Sequence, residues 1–315
     1  MKPFAFVFPG QGSQSVGMLD AWGDHPVVVQ TLQEASDALG EDITALIKNG
    51  PKEALALTTN TQPVMLVSAI AAYRVWLAET GLKPSVVAGH SLGEYSALVA
   101  SGVLTLAQAT PLVRLRAQAM QDAVPVGQGA MAAILGLDAT KIIAICADIT
   151  SASDENGSVQ AANFNDPGQT VISGSKTAVD AACEQLKAAG AKRALILPVS
   201  APFHSALMRP AAEKLREALK FVTFATSQMP VVNNIDVAVQ TDPEAIKDAL
   251  HRQAFGSVRW VECVASIKAR GVNTIIECGP GKVLAGLVKR IDAELTGAAL
   301  FDPASLAEVK AQLQS

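Results

Sequence analysis

The segment Gly89–Gly93 reads Gly-His-Ser-Leu-Gly and fits the G-x-S-x-G pattern of a nucleophile on a tight turn between a strand and a helix. The apolar run Pro84–Ala88 before it predicts a short strand, and Glu94–Ala100 after it predicts a helix. The helix would direct its first N–H groups to the place where negative charge develops. Ser91 is therefore a candidate nucleophile, and the alternative is an ordinary turn.

A serine nucleophile needs a base, and the chain contains four histidines. His25 and His251 stand in polar surroundings and are predicted to lie at the surface. His90 adjoins the serine, but consecutive residues at a turn point in different directions, so it is a poor base. His204 follows a predicted strand and opens a helix, and open α/β sheets keep their sites at strand ends. The pattern favours a Ser91–His204 pair, with a helix-capping histidine as the alternative.

Strands and helices alternate along the two outer parts of the chain, which predicts an α/β fold with a mostly parallel sheet. The nucleophile turn makes this large domain α/β-hydrolase-like, and we assign it residues 1–124 and 198–315. Pro111, inside the helix capped by Thr105, predicts a kink or a restart. The predicted strands are Phe4–Phe8, Pro84–Ala88, Met229–Asn233 and Thr274–Glu277. The predicted helices are Val27–Leu39, Ile43–Ile47, Gln62–Glu79, Glu94–Ala100, Thr105–Ala123, Ala206–Leu219, Asp242–Gln253, Trp260–Arg270 and Val283–Lys289.

The pattern changes after the Pro/Gly-rich break at Pro125–Gly129. Residues 125–197 then give strand, helix, two strands, helix and strand, which is the order of a ferredoxin-like unit. We therefore predict a small ferredoxin-like domain inserted into the large one. Its predicted strands are Met131–Leu137, Val159–Asn163, Val171–Gly174 and Arg193–Leu197, and its predicted helices are Asp138–Ile149 and Thr177–Ala189.

Composition narrows the class of protein. The chain has 315 residues, half of them hydrophobic, and a net charge of −4, which argues against nucleic acid or an anionic membrane as partner. The longest apolar run, Val64–Ala78, is interrupted by Arg74 and is too short to span a bilayer, and the N-terminal apolar stretch is too brief for a signal peptide. The four cysteines stand far apart, which is typical of reduced thiols. We expect a cytoplasmic monomer without a metal or a bound cofactor.

Six segments, in order and spacing, resemble those of the malonyl-CoA:acyl carrier protein transacylases, an acyltransferase family of fatty acid synthesis with relatives in polyketide synthases. The resemblance runs nearly end to end. The segments are Phe6–Gln14, Gly89–Glu94, Leu115–Gln121, Asn163–Gln169, Val199–Met208 and Glu277–Leu284.

The resemblance implies a role for each catalytic residue. Ser91 would attack the malonyl thioester and carry the acyl group as an ester, and His204 would take and return its proton. A main-chain carbonyl or amide near Gln253 would support the histidine in place of a carboxylate. The backbone N–H groups of Gln11 and Leu92 would form the oxyanion hole.

The resemblance also implies how the substrate is selected. Arg116 would clamp the free carboxylate of malonyl-CoA, with a surface arginine as the alternative. Neighbouring Arg114 is assigned to the surface, because residues two apart on a helix face different directions. His90, Asn163 and Phe203 are assigned to the substrate pocket. Phe203 would crowd the α-carbon of a methylmalonyl group, and the alternative is a core aromatic.

The implied partners are malonyl-CoA, as a substrate, and an acyl carrier protein with a phosphopantetheine arm. Five basic residues are candidates for docking the carrier: Lys192, Arg193, Lys282, Lys289 and Arg290.

Three other functions are considered against the sequence. A serine esterase would share the turn, but it leaves the Gln11 loop and Arg116 without a role. A nucleotide-binding loop at Gly281-Lys282 fails, because Ile276 stands where that motif needs glycine and Val283 where it needs Ser or Thr. A carrier-binding module without activity would not need the catalytic set.

Overall fold

Two sheets organise the molecule, and the computed structural model describes residues 2–152 and 157–314. The first sheet is parallel throughout, in the order β7-β2-β1-β8-β9. The prediction of an α/β fold with a mostly parallel sheet is therefore confirmed. The strands are β1 (Phe4–Phe8), β2 (Val86–Gly89), β7 (Val231–Val232), β8 (Thr274–Cys278) and β9 (Thr296–Leu300).

Strand β1 lies at the centre of this sheet, and all five of its residues are buried. A strand covered on both faces has no polar alternation, which is why Phe4–Phe8 is apolar throughout. Its Phe6 ring packs edge-on against Trp76 and Tyr73, at centroid distances of 5.6 and 5.9 Å. Both belong to α4 (Thr58–Thr80), the long buried helix on that face. Strand β2 pairs with β1, so the turn after β2 starts from this buried core.

The second sheet is antiparallel, in the order β4-β5-β3-β6. Two helices cover one face of it and enclose a separate core built around Ile134, Ile172 and Leu186. Its elements are β3 (Gly129–Leu135), α7 (Ala139–Ala152), β4 (Val159–Asp166), β5 (Gln169–Ser175), α8 (Lys176–Ala188) and β6 (Arg193–Ile196).

The other helices surround the parallel sheet, and within the described residues none is long and apolar enough to cross a membrane. They are α1 (Pro26–Leu39), α2 (Ile43–Asn49), α3 (Lys52–Ala56), α5 (Gly93–Ala100), α6 (Leu106–Asp122), α9 (Arg209–Leu219), α10 (Pro243–Phe255), α11 (Trp260–Ala269), α12 (Val283–Ile291) and α13 (Pro303–Gln314).

The element predictions were wrong in several places, among them the short helix α3, which no pattern predicted. Of the kink or restart expected at Pro111, the restart does not occur: α6 runs unbroken from Leu106 to Asp122, with Pro111 exposed on its surface. The helix expected over Ala206–Leu219 begins as a 3₁₀ turn, Ala206–Met208, before α9. The apolar pattern predicts no element after Lys289, yet β9 and α13 follow it.

Main-chain hydrogen bonds join the second sheet to the segment that follows α10. The Val258 N–H donates to the Ala162 carbonyl at 2.8 Å, and the Phe164 N–H donates to the Val258 carbonyl at 2.9 Å. The Ser257 hydroxyl donates to the Ala161 carbonyl at 2.7 Å. The segment that follows α10 therefore extends the edge of β4.

Candidate active site

Ser91 lies on the turn between β2 and α5, with a backbone φ of 53°. A non-glycine residue in this left-handed region is uncommon and carries strain. The turn also requires two glycines, because a Cβ on Gly93 would lie 2.1 Å from the Phe8 carbonyl oxygen and one on Gly89 would lie 1.9 Å from the Gly93 carbonyl carbon. The serine hydroxyl is thereby presented at the end of the parallel sheet.

The side-chain amide of Asn234 holds this turn. Its Oδ1 accepts a hydrogen bond from the Ser91 N–H at 2.7 Å, and its Nδ2 donates to the Gly89 carbonyl at 2.7 Å. Asn234 is fully buried and follows β7, the neighbour of β2 in the sheet. One amide thus satisfies two main-chain groups that the strained turn leaves outside the sheet.

His204 approaches Ser91 from the loop that follows β6. The distance from Ser91 Oγ to His204 Nε2 is 2.6 Å. The other ring nitrogen, Nδ1, lies 2.9 Å from the Gln253 carbonyl oxygen and 3.1 Å from that of Gly256. Two carbonyl acceptors assign the proton to Nδ1, which leaves Nε2 free to accept the serine proton.

The imidazole is neutral in the resting site. Burial, and secondly the charge of Arg116, lower the pKa of His204 to about 3. The loop that carries it is held from the second sheet, where Gln160 of β4 donates from Nε2 to the His204 carbonyl at 3.3 Å and accepts from the Ala206 N–H at 2.9 Å. His204 itself has a φ of 58°, so the base, like the nucleophile, stands on strained backbone.

Arg116 of α6 brings a positive charge to the same oxygen. Its Nη2 lies 3.2 Å from Ser91 Oγ and 3.1 Å from Gln253 Oε1, and its Nη1 donates to Gln62 Oε1 at 2.6 Å. The guanidinium is 2% exposed and lies 5.5 Å from the centre of the Tyr95 ring. These acceptors are neutral, so they fix the guanidinium without cancelling its charge.

A cavity of about 140 Å³ opens beside these groups. This volume suits a short acyl group and is below that of sites for larger ligands, which start at about 300 Å³. His90, next to Ser91, turns away and lies 2.9 Å from Asn165 Oδ1 through its Nε2. The predicted residues that line the cavity are Gln11, His90, Ser91, Leu92, Arg116, Asn163, Phe203 and His204.

The structure thus gathers all nine predicted site residues, since Gln253 contacts Ser91, Arg116 and His204 from outside the cavity wall. Arg114 instead makes a bidentate pair with Glu41 at the surface. Among residues 2–152 and 157–314, no group of three or more His, Cys, Asp or Glu side chains could hold a metal ion.

Four residues of the site were not predicted from the sequence: Gln62, Glu94, Gln160 and Asn234. Glu94 carried a signal, because it is the one charged residue in the predicted helix Glu94–Ala100. Asn234 also carried one, since two asparagines follow the apolar residues of β7. Gln62 and Gln160 gave none, because one amide within a long helix or a strand is ordinary.

Comparison with known proteins agrees with this geometry. The acyl transferase domain family matches residues 5–300. The malonyl CoA-acyl carrier protein transacylase of Salmonella typhimurium is 52% identical over 313 residues, which cover 99% of this chain and 100% of that protein.

Two solved structures have the same fold. The acyl-carrier-protein S-malonyltransferase of Burkholderia pseudomallei is 63% identical, with a TM-score of 0.94 and coverage of 98% of this chain and 99% of that one. A malonyl-transacylase in complex with its type II PKS acyl-carrier protein is 50% identical, with a TM-score of 0.95 and coverage of 99% and 100%. This chain is an acyltransferase that belongs to the acyl transferase domain family, among the malonyl CoA-acyl carrier protein transacylases.

Proposed function

We propose that this protein transfers the malonyl group from malonyl-CoA to the phosphopantetheine thiol of an acyl carrier protein, for fatty acid synthesis, through an ester on Ser91. The observation that carries the proposal is the surroundings of one oxygen. Ser91 Oγ lies 2.6 Å from a neutral imidazole nitrogen and 3.2 Å from a buried guanidinium. Relatives at 50–52% identity that bear the name malonyl CoA-acyl carrier protein transacylase support the choice of donor and acceptor.

In the first half-reaction, Ser91 Oγ attacks the thioester carbonyl while its proton passes to His204 Nε2. The oxyanion of the tetrahedral intermediate would be held by the backbone N–H groups of Gln11 and Leu92, and both residues line the cavity. The intermediate then breaks its carbon–sulfur bond, CoA leaves with the proton from His204, and malonyl remains as an ester on Ser91.

In the second half-reaction, the phosphopantetheine thiol gives its proton to His204 and attacks the ester. The serine leaves and takes the proton back, so the site returns to its starting state. Both steps need a base that is neutral at rest, which fits the lowered pKa of His204. The carbonyls of Gln253 and Gly256 keep the ring oriented through both steps.

The free carboxylate of the malonyl group would be bound by Arg116. Two guanidinium N–H groups match the two oxygens of a carboxylate, and burial strengthens such a pair. A donor without a carboxylate would leave the guanidinium without an anionic partner, so acetyl-CoA is expected to be a poor donor. Phe203, His90 and Asn163 would form the wall around the acyl chain.

A serine esterase is the main competing function, and it would release free acid. The acceptors of the His204 Nδ1–H are carbonyls instead of a carboxylate. We infer that this weaker support lets the acyl-enzyme wait for a thiol. Rapid hydrolysis in the absence of carrier protein would contradict this inference.

The finer division of the fold is also a proposal. We assign residues 1–124 and 198–315 to an α/β-hydrolase-like domain and residues 125–197 to an inserted ferredoxin-like domain. The order β6-β3-β5-β4, with one helix after β3 and one after β5, supports the second assignment.

The carrier protein would dock beside the second sheet. Gly136, next to the Lys192 side chain, donates its N–H to the Gly168 carbonyl, and Arg290 lies 3.5 Å from Asp166. This brings Lys192 and Arg290 towards the same β4–β5 turn. Such a basic group suits an acidic carrier, and the acyl-carrier protein complex of a relative supports this class of partner.

Intact-protein mass spectrometry tests the function directly. The protein is incubated briefly with malonyl-CoA or acetyl-CoA, with Ser91→Ala as the control. A single malonyl adduct that needs Ser91 and clears when carrier protein is added supports the proposal. Free malonic acid without an adduct would instead identify a hydrolase, and neither adduct nor turnover would refute malonyl-CoA as the donor.

A further inference from the structure

Glu94 is a buried carboxyl group that the reaction above does not use. It is the second residue of α5 and 2% exposed, in a helix whose other side chains are neutral. Burying a carboxylate is unfavourable unless hydrogen bonds and charges compensate. A carboxyl group kept at such a cost, three residues from the nucleophile, calls for a physical explanation.

One oxygen of Glu94 connects two residues that surround the nucleophile, one through its main chain and one through its side chain. Oε2 accepts a hydrogen bond from the Asn234 N–H at 2.8 Å and another from Gln253 Nε2 at 3.0 Å. Asn234 holds both ends of the turn at Ser91, as described above. Gln253 Nε2 also donates to the Ser91 carbonyl at 3.0 Å.

Gln253 also links Glu94 to the other two reacting groups, Arg116 and His204. Its Oε1 accepts from Arg116 Nη2 at 3.1 Å, and its main-chain oxygen accepts from His204 Nδ1 at 2.9 Å. Nucleophile, base and carboxylate-binding arginine are therefore each one hydrogen bond away from a residue that Glu94 holds.

The segment that carries Asn234 needs such restraint. Three residues beyond it, Val237 has a φ of 58°, which is exceptional for a β-branched residue. Between them, Asp236 makes a bidentate pair with Arg252 of α10, at 2.6 and 2.7 Å. The ion pair therefore ties this segment to α10, and the hydrogen bond from the Asn234 N–H to Glu94 Oε2 ties it to α5.

We propose that the Glu94 carboxylate is the positioning residue of this site, holding Asn234 and Gln253 so that Ser91, His204 and Arg116 keep their reactive arrangement. The proposal rests on the acyl transfer proposed above. It assigns Glu94 no contact with substrate. Its negative charge matters because charged acceptors make hydrogen bonds roughly twice as strong as neutral ones.

The surroundings of Glu94 predict when that charge is lost. Burial raises the pKa of Glu94 to about 7, against the hydrogen bonds from Gln253 and Asn234 and the charge of Arg116 on α6, which lower it. Asp236, after β7, raises it slightly. Two further titratable neighbours are Tyr95 on the same helix and Cys263 on α11: burial raises the pKa of Tyr95 to about 12 and that of the Cys263 thiol well above its usual range.

The difference in pKa distinguishes the titration of Glu94 from that of the base, His204. His204, with a pKa of about 3, remains neutral throughout the physiological range, so its protonation does not control the rate there. Glu94 gains its proton as the pH falls through about 7 and then holds Asn234 and Gln253 less strongly. The rate of Ser91 acylation should therefore fall with falling pH near neutrality, although the histidine does not titrate there.

The test measures the first-order rate of malonyl–Ser91 formation at saturating malonyl-CoA, from about pH 5.5 to 8.5. Wild type is compared with Glu94→Gln, which keeps the shape and an acceptor oxygen but removes the charge. Ser96→Ala is the matched control, because Ser96 lies on the same helix, is equally buried and has a hydroxyl without a hydrogen-bond partner. Thermal unfolding of each variant verifies that it is folded.

We expect the wild-type rate to fall as the pH is lowered through about 7. Glu94→Gln should be slower at high pH by about tenfold to a hundredfold, as misplaced reacting groups are, and its rate should not change across this window. Ser96→Ala should follow wild type. If Glu94→Gln fails to fold, the wild-type profile decides, and a constant rate between about pH 6 and 8 overturns the role of Glu94.

Two failures are distinguishable. If wild type forms the adduct and folded Glu94→Gln matches its rate and pH profile, the role of Glu94 is overturned and the transferase function stands. If wild type forms no malonyl adduct at all, the proposed function falls, and the role of Glu94 falls with it.

Discussion

Removing the Arg116 guanidinium should change which acyl donor the protein accepts. In Arg116→Ala the malonyl carboxylate loses its cationic partner, whereas an acetyl group loses nothing that it bound. Acetyl transfer is affected only indirectly, through the loss of the Nη2 hydrogen bonds to Ser91 Oγ at 3.2 Å and to Gln253 Oε1 at 3.1 Å. The substitution should therefore separate the two donors and not slow both alike.

The size of the effect follows from the burial of this side chain, which is 2% exposed. A hydrogen bond to a charged group contributes about 1.5–3 kcal/mol, so a carboxylate that accepts two loses about 3–6 kcal/mol. At about 1.4 kcal/mol for each factor of ten, malonyl acylation should slow by about 10²–10⁴-fold. Loss of the bonds to Ser91 Oγ and Gln253 Oε1 affects both donors alike, so the ratio of malonyl to acetyl acylation should fall by this factor.

The assay follows acyl–Ser91 formation by rapid quenching and intact mass, with each donor separately. Arg114→Ala is the matched control, since Arg114 lies two residues earlier on α6 and pairs with Glu41 at the surface. It should leave both rates within about twofold of wild type, because exposed ion pairs contribute little. An equal fall with both donors in Arg116→Ala would refute the reasoning, since Arg116 would then act on the serine and not on the carboxylate.

Three further outcomes are expected. Burial raises the pKa of Glu277 from 4.5 to about 7, so the native state keeps a proton that the unfolded chain releases, and stability falls as the pH rises through that window. The melting temperature of Glu277→Gln should therefore fall less than that of wild type between about pH 5 and 8. An equal fall would show that the Glu277 carboxyl does not contribute to the pH dependence of stability. Gly93→Ala places a Cβ 2.1 Å from the Phe8 carbonyl and should cost more than about 2 kcal/mol in unfolding, whereas Gly286→Ala, with its nearest atom at 4.0 Å, should be neutral or stabilising. Phe203→Ala should raise methylmalonyl-CoA use relative to malonyl-CoA by about tenfold in a competition assay, and an unchanged ratio would remove Phe203 from donor selection.

Local patterns in the sequence were sufficient to predict most of the fold. The apolar run Phe4–Phe8 and the small residues around Ser91 determine a buried strand and a tight turn, whatever surrounds them. Strand β9 could not be predicted in this way, because Thr296–Leu300 is short, contains glycine, and becomes a strand only by pairing with β8. Pairing partners distant in the chain supply that information, and a local pattern does not contain it.

Some residues of the site could likewise be predicted from local patterns, and others could not. Ser91 and His204 stand at positions where a strand ends, and the order of motifs identifies Arg116. Asn234 and Glu94 act through hydrogen bonds to residues about 140 positions away, so their roles appear only once the sheet order places β7 beside β2. A supporting residue is defined by its neighbours, and the fold creates those neighbours.

The second sheet has a consequence for engineering. Gln160 of β4 holds the loop of His204, and Ser257 and Val258 bond to the same strand immediately after Gly256, which orients the imidazole. Residues 125–197 are therefore not a cassette that can be exchanged freely between relatives to alter donor choice. In a chimera that receives this segment from a relative, the residues of that relative would hold the loop of the catalytic base. Only grafts that bring both Gln160 and the main-chain pairing to Val258 should turn over at the parental rate.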